Sequence, residues 1–252
     1  SADPGGFDPA MGPSGMSHVV IEQVYGTLLN LDHDAVPYAG LAESWEQSED
    51  GLKWTFKLRP DLKFHNGEAL TAEDVVFTFN RIMPEDSGYA YRSQIETIES
   101  VVAEDDLTVV FNLKTVTGPF EIYMAFPGSS IVPKDLVESG HDLNAEPVGS
   151  GPFKFVSYTP RDSIKFVKNE AYYESGKPYF DEMTYRIVAD PTALANGLKS
   201  GEINFSNEVP PKDWNSITSQ SNMVDAALEL LQKHGIKNEE IFYDKFTDSS
   251  NL

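Results

Sequence analysis

The hydrophobic pattern changes its period early in the chain, and this change constrains the fold more than any other feature. Over residues 52–58 apolar side chains alternate with polar ones, which predicts a strand that buries one face. Thr71 followed by Asp74 predicts a capping box, and the apolar spacing beyond it predicts a helix that ends before Pro84. The sequence therefore predicts a chain that combines sheets with helices.

Two further pairs of β-rich segments flank short polar connections. Residues 101–104 and 107–113 predict a hairpin, and residues 153–158 and 163–167 predict a second one. Ahead of them, residues 18–29 carry apolar side chains at helical spacing and predict an amphipathic helix. We expect the middle of the chain to be a meandering, β-rich region with a few helices.

A later segment has a different character. Residues 185–188 and 203–205 predict strands, and between them Asp190 is the expected N-cap of a short helix over 193–198 that Gly201 closes. This strand-helix-strand unit is typical of α/β structure. The expected fold class therefore lies between α+β and α/β.

Composition and charge narrow the classes of function. The chain has 252 residues, 40% of them hydrophobic, so it can bury a core. Forty acidic against 19 basic side chains give a net charge of -21, which disfavours nucleic acid and anionic lipid as partners. No cysteine is present, which excludes disulfides, thiolate catalysis and Cys-ligated metals.

The chain also lacks the sequence signals of membrane insertion. No apolar run is long enough to span a bilayer, so we expect no direct membrane insertion. Ser1-Ala2-Asp3-Pro4 has neither the charged nor the apolar region of a signal peptide, which predicts a mature or trimmed chain.

Residue types that could support catalysis are present without the required arrangement. No two of the five histidines have the i, i+4 spacing of a helical zinc pair. Ser129 and Ser130 follow Gly128 without a G-x-S-x-G elbow, and the sequence has no Gly-rich phosphate loop. We expect no catalytic residue, no metal site and no cofactor, hence no enzyme.

Three residues form the most distinctive candidate for a binding segment. Gly149 and Gly151 on either side of Ser150 permit a backbone turn whose N–H groups could approach a ligand, or simply a tight turn between strands. Phe7 and Tyr25 could form an aromatic wall for a solute, whereas the periodicity around Tyr25 is more typical of a core position. Both interpretations remain open at this stage.

Ten segments, taken in order, resemble family 5 extracellular solute-binding proteins of ABC importers, the oligopeptide, dipeptide and nickel-binding type. The resemblance covers roughly residues 7–216. The segments that carry it are 7–9, 25–29, 41–45, 50–56, 58–60, 64–68, 70–77, 147–153, 190–194 and 199–203.

This resemblance implies a periplasmic-binding-protein-like lobe with a mixed sheet and a meandering β-rich subdomain. It implies non-catalytic binding of an extracellular or periplasmic solute, such as a peptide, by a monomer that delivers it to an ABC permease. It places near the cleft between lobes the ligand-binding candidates Phe7, Asp8, Tyr25, Gly149, Ser150 and Gly151. For His65, which lies in one of the family's turns, a structural role is expected.

The resemblance also implies a division of the chain. Residues 1–34 and 166–216 would form the α/β part of the first lobe and residues 35–165 its β-rich subdomain. Family members continue into a second lobe that has no counterpart here, so we expect a chain truncated after the first lobe, with incomplete binding. Residues 217–252 would be a tail of different origin.

The tail supports an alternative hypothesis. Within residues 221–252, two segments are similar to the closing helix and strand of ferredoxin-reductase-like flavin oxidoreductases, namely 223–227 and 240–246. The alternatives to solute binding are therefore a fragment or chimera of a flavin or NAD(P)H oxidoreductase, and a designed chimeric scaffold without activity.

Overall fold

The computed structural model describes residues 3–11, 15–206, 213 and 217. The chain divides into two compact units, Ser1–Ile187 and Val188–Leu252. The helices are α1 Gly15–Val24, α2 Ala72–Ile82, α3 Phe120–Met124, α4 Lys134–Glu138 and α5 Pro191–Ser200. The strands are β1 Leu29–Leu31, β2 Pro37–Ala39, β3 Ala42–Gln47, β4 Lys53–Leu58, β5 Ile98–Asp105, β6 Thr108–Leu113, β7 Phe153–Thr159, β8 Ser163–Lys168 and β9 Glu182–Arg186.

A four-stranded antiparallel sheet in the order β3-β4-β6-β5 organises most of the first unit. Strand β4 confirms the alternation, because Trp54, Phe56 and Leu58 are buried while Lys53 and Lys57 are exposed. Helix α2 packs on this sheet, with the rings of Phe79 and Phe111 4.8 Å apart in an edge-to-face arrangement. The core of this part is therefore a sheet covered by a helix, an α+β arrangement.

The predicted capping box opens α2. The Thr71 side chain and the Asp74 side chain satisfy each other's backbone N–H groups, and Asp74 Oδ2 accepts from Thr71 N at 2.9 Å. Asp74 Oδ1 also accepts from the backbone N–H of Lys134 at 3.0 Å, which ties α4 to the start of α2. The helix end thus serves both as a local cap and as a tertiary link.

A second antiparallel sheet, β7-β8-β9, packs against α1. Both predicted hairpins are confirmed, since β5 pairs with β6 and β7 with β8. The third strand begins and ends earlier than the predicted 185–188 because its register with β8 runs from Glu182 to Arg186. Every strand pairing described is antiparallel.

Helix α1 is shorter than predicted. It ends at Val24 rather than at residue 29, and Leu29–Leu31 pairs instead with Pro37–Ala39 as a short hairpin. The Val24 carbonyl that would continue the helix accepts a hydrogen bond from Gly151 N at 2.8 Å. A tertiary contact from a distant segment therefore caps the helix, which local periodicity could not reveal.

The second unit contains α5, capped as predicted. The Asp190 side chain accepts from Ala193 N at 2.7 Å, and Gly201 closes the helix with φ 77°. The strand predicted over 203–205 is wrong: Ile203 N donates to Gly197 O at 3.0 Å, and its side chain packs where Gly197 leaves room. This segment packs on α5 and pairs with no strand among the described residues.

The remaining predictions concern the tail, the division of the chain, and membrane or metal binding. The helix predicted over 222–235 and the strand over 241–244 lie outside the described residues. The three-part division at residues 34/35, 165/166 and 216/217 remains a prediction. Among the residues described, no helix is long and apolar enough to cross a membrane, and no cluster of side chains could hold a metal ion.

Candidate functional site

Four of the six predicted site residues, Tyr25 and residues 149–151, lie at the C-terminal end of α1, and Phe7 and Asp8 belong to the neighbouring core. Gly149 and Gly151 lie directly on the last turn of the helix and on Tyr25, where a side chain has no room. A methyl group on Gly149 would overlap the Val24 carbonyl oxygen, and one on Gly151 would lie 2.6 Å from Gln23 O. The two glycines are therefore required by close packing of one backbone on another.

His65 ties this glycine turn, residues 149–151, to the turn predicted over 64–67. Its backbone N donates to Gly149 O at 2.8 Å, and its Nε2 donates to Gly151 O at 3.0 Å. Asn169 Nδ2 also donates to Gly151 O, at 2.9 Å. Burial lowers the pKa of His65 to about 4, with a smaller contribution from Lys154, so the imidazole is neutral at pH 7. The structural role expected for His65 is consistent with these bonds.

Two hydroxyl groups at this end of α1 are buried without a hydrogen bond of good geometry among the described residues. They are Tyr25 Oη and Ser150 Oγ. Burial raises the pKa of Tyr25, and the charge of Asp8 raises it further. Such orphaned polar groups are costly in a protein interior, which marks this packing as polar as well as tight.

Phe7 and Asp8 anchor the N-terminal segment to the same core. The Phe7 ring packs 5.4 Å from the rings of Phe155 and Tyr158, and only 3% of Phe7 is exposed. Asp8 is buried to the same degree and forms a bidentate ion pair with Arg81, whose Nη1 donates to Asp8 Oδ1 at 2.9 Å. This hydrogen bond raises the pKa of Arg81.

The contacts described for the six residues are thus with other parts of the protein. The one with open space beside it is Phe7, which lines a groove of about 440 Å³ between β7 and residues 144–148. Gly151 N–H, one of the groups predicted to face a ligand, is engaged by Val24 O. Contact between these six residues and a solute stays a prediction.

A second group of side chains lies at the other end of α1 and was missed by sequence reasoning. We call it the aromatic cluster: His18, Tyr89, Tyr91 and Phe126. The Tyr91 and Phe126 rings are 4.6 Å apart, and the His18 ring lies 5.4 Å from Phe126 and 5.5 Å from Tyr91. Tyr89 is buried, whereas the other three are partly exposed. The cluster therefore combines a packed floor with an accessible aromatic surface.

Gly128 and Ser129 lie beneath these rings. A methyl group on Gly128 would lie 2.7 Å from Tyr89 Oη and 3.0 Å from Tyr91 Cδ2, so the rings rest on bare backbone. Burial raises the pKa of Tyr89 to about 12, partly offset by the nearby Ser129 hydroxyl. Neither Tyr89 Oη nor Ser129 Oγ makes a hydrogen bond of good geometry among the described residues. Both atoms are fully buried, so they can contact a solute only if the rings above them move.

Hydrogen bonds hold the tyrosines in place. Tyr91 Oη bonds to His18 Nε2 at 2.8 Å, and burial lowers the pKa of His18, so the imidazole is neutral at pH 7. The loop that carries both tyrosines is fixed by Arg92, whose Nη1 donates to the carbonyl oxygens of Met83 and Pro84 at 2.7 and 3.0 Å. Aromatic faces with a few unengaged hydroxyls are typical of sites for small organic solutes.

A family model described as bacterial extracellular solute-binding proteins, family 5 Middle, matches residues 36–243. The chain belongs to this family. Its curated relatives include the oligopeptide-binding protein AppA of Bacillus subtilis, 33% identical over 88% of this chain, and the glutathione-binding protein GsiB of Pectobacterium atrosepticum, 33% identical over 81%. These matches cover 42% and 40% of the relatives, so the family 5 chain spans less than half of their length.

Solved structures agree with this assignment. One is the structure of AppA from Bacillus subtilis in complex with a nonapeptide. The match covers 86% of this chain and 44% of the AppA chain, with a TM-score of 0.79 and 31% identity. The periplasmic binding protein AgaA of A. tumefaciens R10, in complex with agropinic acid, matches 80% of this chain and 41% of its own, with a TM-score of 0.76 and 34% identity. The periplasmic-binding-protein fold expected from the sequence is confirmed.

The family match also bears on the tail. It extends to residue 243, well into the segment 217–252 for which a different origin was expected. The comparisons do not support the resemblance to ferredoxin-reductase-like oxidoreductases, nor a chimeric chain.

Proposed function

We propose that this chain forms one side of a solute site and binds a peptide or another small polar solute for import by an ABC transporter, without catalysis. The observation that carries the proposal is the aromatic cluster, within a chain of the solute-binding family. Its partly exposed rings offer aromatic surface, and movement of those rings would open the buried Tyr89 and Ser129 hydroxyls as polar contacts.

The class of solute follows from the relatives. AppA is named for oligopeptides and GsiB for glutathione, which are both peptides, whereas AgaA was solved with agropinic acid. We therefore propose a short peptide as the solute, delivered by a monomer to a membrane permease in the periplasm or outside the cell. A chain with a net charge of -21 would not bind nucleic acid in this role.

The six sequence-predicted residues have a supporting place in this proposal. By fixing the end of α1 against the glycine turn, they hold the helix that carries His18 into the aromatic cluster. Direct contact with the solute is the competing hypothesis for Tyr25, whose hydroxyl also lacks a hydrogen bond of good geometry.

Two matched substitutions separate these hypotheses. Tyr89→Phe and Tyr25→Phe each remove a buried hydroxyl that has no protein partner of good geometry, so neither should destabilise the fold. Affinity for a nonapeptide and for glutathione is measured by calorimetric titration, with Bacillus subtilis AppA as the positive control for peptide binding. We expect Tyr89→Phe to weaken binding about tenfold and Tyr25→Phe to leave it unchanged.

The opposite pattern, loss with Tyr25→Phe alone, would place the solute at the glycine turn. Absence of binding by the unsubstituted chain to every peptide that AppA binds would overturn the proposed function itself.

A further inference from the structure

The dipeptide Asn-Gly occurs twice in the chain, at Asn66-Gly67 and at Asn196-Gly197. In such a pair the backbone nitrogen of the glycine can attack the side-chain amide carbon of the asparagine, because glycine has no side chain that obstructs the approach. The attack also requires a backbone that can leave its folded conformation. The surroundings of the two dipeptides therefore decide which of them reacts.

Asn66 and Gly67 lie in the turn between Lys63 and Ala69, which pair as an isolated antiparallel bridge. Both residues of the dipeptide are exposed, and Gly67 has φ 91° with nothing within 4 Å of the position that a methyl group would take. Asn66 Oδ1 accepts a hydrogen bond from Glu68 N at 3.1 Å, so the side chain folds back along the backbone. This orientation brings the amide carbon of Asn66 toward the nitrogen of Gly67.

One hydrogen bond opposes the attack in this turn. Gly67 N donates to Phe64 O at 2.9 Å, and this bond must open before the nitrogen can lose its proton and react. The bond lies in a surface turn, where local opening exposes the backbone groups to water and requires less free energy than in a packed helix or a sheet. The turn therefore slows the reaction without preventing it.

The second dipeptide lies within α5 and is held more firmly. Gly197 is buried, and a methyl group there would lie 2.7 Å from Ile203 Cδ1. Gly197 O also accepts a hydrogen bond from Ile203 N at 3.0 Å. Side chains in a helix tilt toward its N-terminus, so the Asn196 amide is directed away from the nitrogen that follows it. The same two residues are thus present in a backbone that opposes the attack.

We propose that Asn66 is a site of spontaneous deamidation. The Gly67 nitrogen bonds to the side-chain carbon of Asn66, and the amide nitrogen leaves as ammonia together with the proton of the Gly67 N–H. Water then opens the resulting succinimide ring at either carbonyl and gives aspartate or isoaspartate, without an oxidant, a reductant or an enzyme. Isoaspartate carries the backbone through the former side chain and lengthens it by one methylene group.

The modification would act on the contacts of the preceding residue. His65 donates from its backbone N to Gly149 O and from its Nε2 to Gly151 O. A longer backbone and a new negative charge beside Glu68 would displace the turn that positions these two donors. We therefore expect isoaspartate at position 66 to weaken the attachment of the glycine turn and to lower the stability of the fold.

Peptide mapping by mass spectrometry tests the site, with the second dipeptide as the internal reference. The folded chain is incubated at mildly alkaline pH in heavy-oxygen water and digested with trypsin, which releases the two asparagines in separate peptides, 64–81 and 187–199. Heavy oxygen in the new carboxyl group distinguishes deamidation during incubation from deamidation during digestion. The same chain unfolded in guanidinium chloride shows how both dipeptides react without structure.

In the folded chain we expect Asn66 to be converted at least about tenfold faster than Asn196, because only Asn66 has its amide carbon oriented toward the attacking nitrogen. The unfolded chain should convert both asparagines at similar rates. After incubation, the unsubstituted chain should unfold at a lower urea concentration than before. Asn66→Gln, whose longer side chain does not form a succinimide, should unfold at the same urea concentration before and after incubation.

Conversion of Asn66 that is no faster than conversion of Asn196 in the folded chain would overturn the proposed site. Conversion of Asn66 that leaves the unsubstituted chain as stable as incubated Asn66→Gln would overturn its effect on the glycine turn. Neither measurement involves a solute, so both results are independent of the proposed function.

Discussion

The two ends of α1 differ in how their neighbours pack. At the C-terminal end, Gly149 and Gly151 bring one backbone against another, and the polar groups there are mostly engaged by His65, Asn169 and Val24. At the other end, rings from two loops rest on Gly128, the His18 ring packs against two of them, and accessible aromatic surface remains. The difference supports the proposal that the glycine turn maintains the architecture, while solute contact is made by side chains that lack a sequence motif.

The largest effect on stability is expected at the glycine turn. Gly149→Ala places a methyl group on the Val24 carbonyl oxygen, and we expect a loss of about 3 kcal/mol or more in the free energy of unfolding, measured in urea. Gly118→Ala, where nothing lies within 4 Å of the new methyl group, is the matched control and should change stability by less than about 0.5 kcal/mol. Equal effects of the two substitutions would contradict the close packing.

The pH dependence of stability is expected to report on His65. Its pKa in the folded state is about 4, below the ordinary 6.5, so the unfolded chain binds a proton more readily between these values. The contribution of neutral His65 is complete above pH 6.5 and is lost as the pH falls toward 4, by about 3 kcal/mol in total.

His65→Gln keeps an N–H donor for Gly151 O but does not titrate. Its unfolding free energy should therefore fall less steeply between pH 6.5 and 4 than that of the unsubstituted chain. The same slope in both proteins would show that His65 titrates normally in the fold.

The ion pair at the N-terminal segment should have a smaller effect. Arg81→Met leaves Asp8 charged, buried and without its partner, and we expect a loss of about 2 kcal/mol, since 28% of the Arg81 side chain is exposed. Adding Asp8→Asn removes the uncompensated charge and should restore part of the stability in a double-mutant cycle. Purely additive effects would argue against a coupled pair.

The smallest expected effect on stability concerns the aromatic cluster. Gly128→Ala pushes on Tyr89 Oη and Tyr91 Cδ2, the outer atoms of side chains that can move at less cost than backbone. We expect less than about 1 kcal/mol of destabilisation, together with a roughly tenfold loss of peptide affinity as the rings shift. A stability loss as large as that of Gly149→Ala, with unchanged affinity, would assign both ends the same structural role.

Local features of the fold could be predicted from the sequence, and features made by distant contacts could not. The strand β4, the capping box of α2 and the Asp190 cap depend on neighbouring residues, and all three are present. The end of α1 was misplaced because Gly151, far away in the sequence, takes the Val24 carbonyl. The strand predicted over 203–205 was wrong because its apolar residues pack on α5.

The same distinction applies to the candidate site. The six predicted residues lie at the end of α1 and in the core beside it. They could be selected from the sequence because they belong to segments that resemble the family. Tyr89, Tyr91 and Phe126 come from two loops without hydrophobic periodicity, and the residues around Ser129 contain no motif that indicates binding.

The location of the solute is tested most directly by photo-crosslinking. A short peptide with a photoreactive benzophenone side chain is bound, irradiated and mapped by mass spectrometry, with an excess of unlabelled peptide as the competition control. We expect competable labelling of the aromatic cluster, at Tyr89, Tyr91 or Phe126. Competable labelling confined to Phe7, Tyr25 or the glycine turn would contradict it.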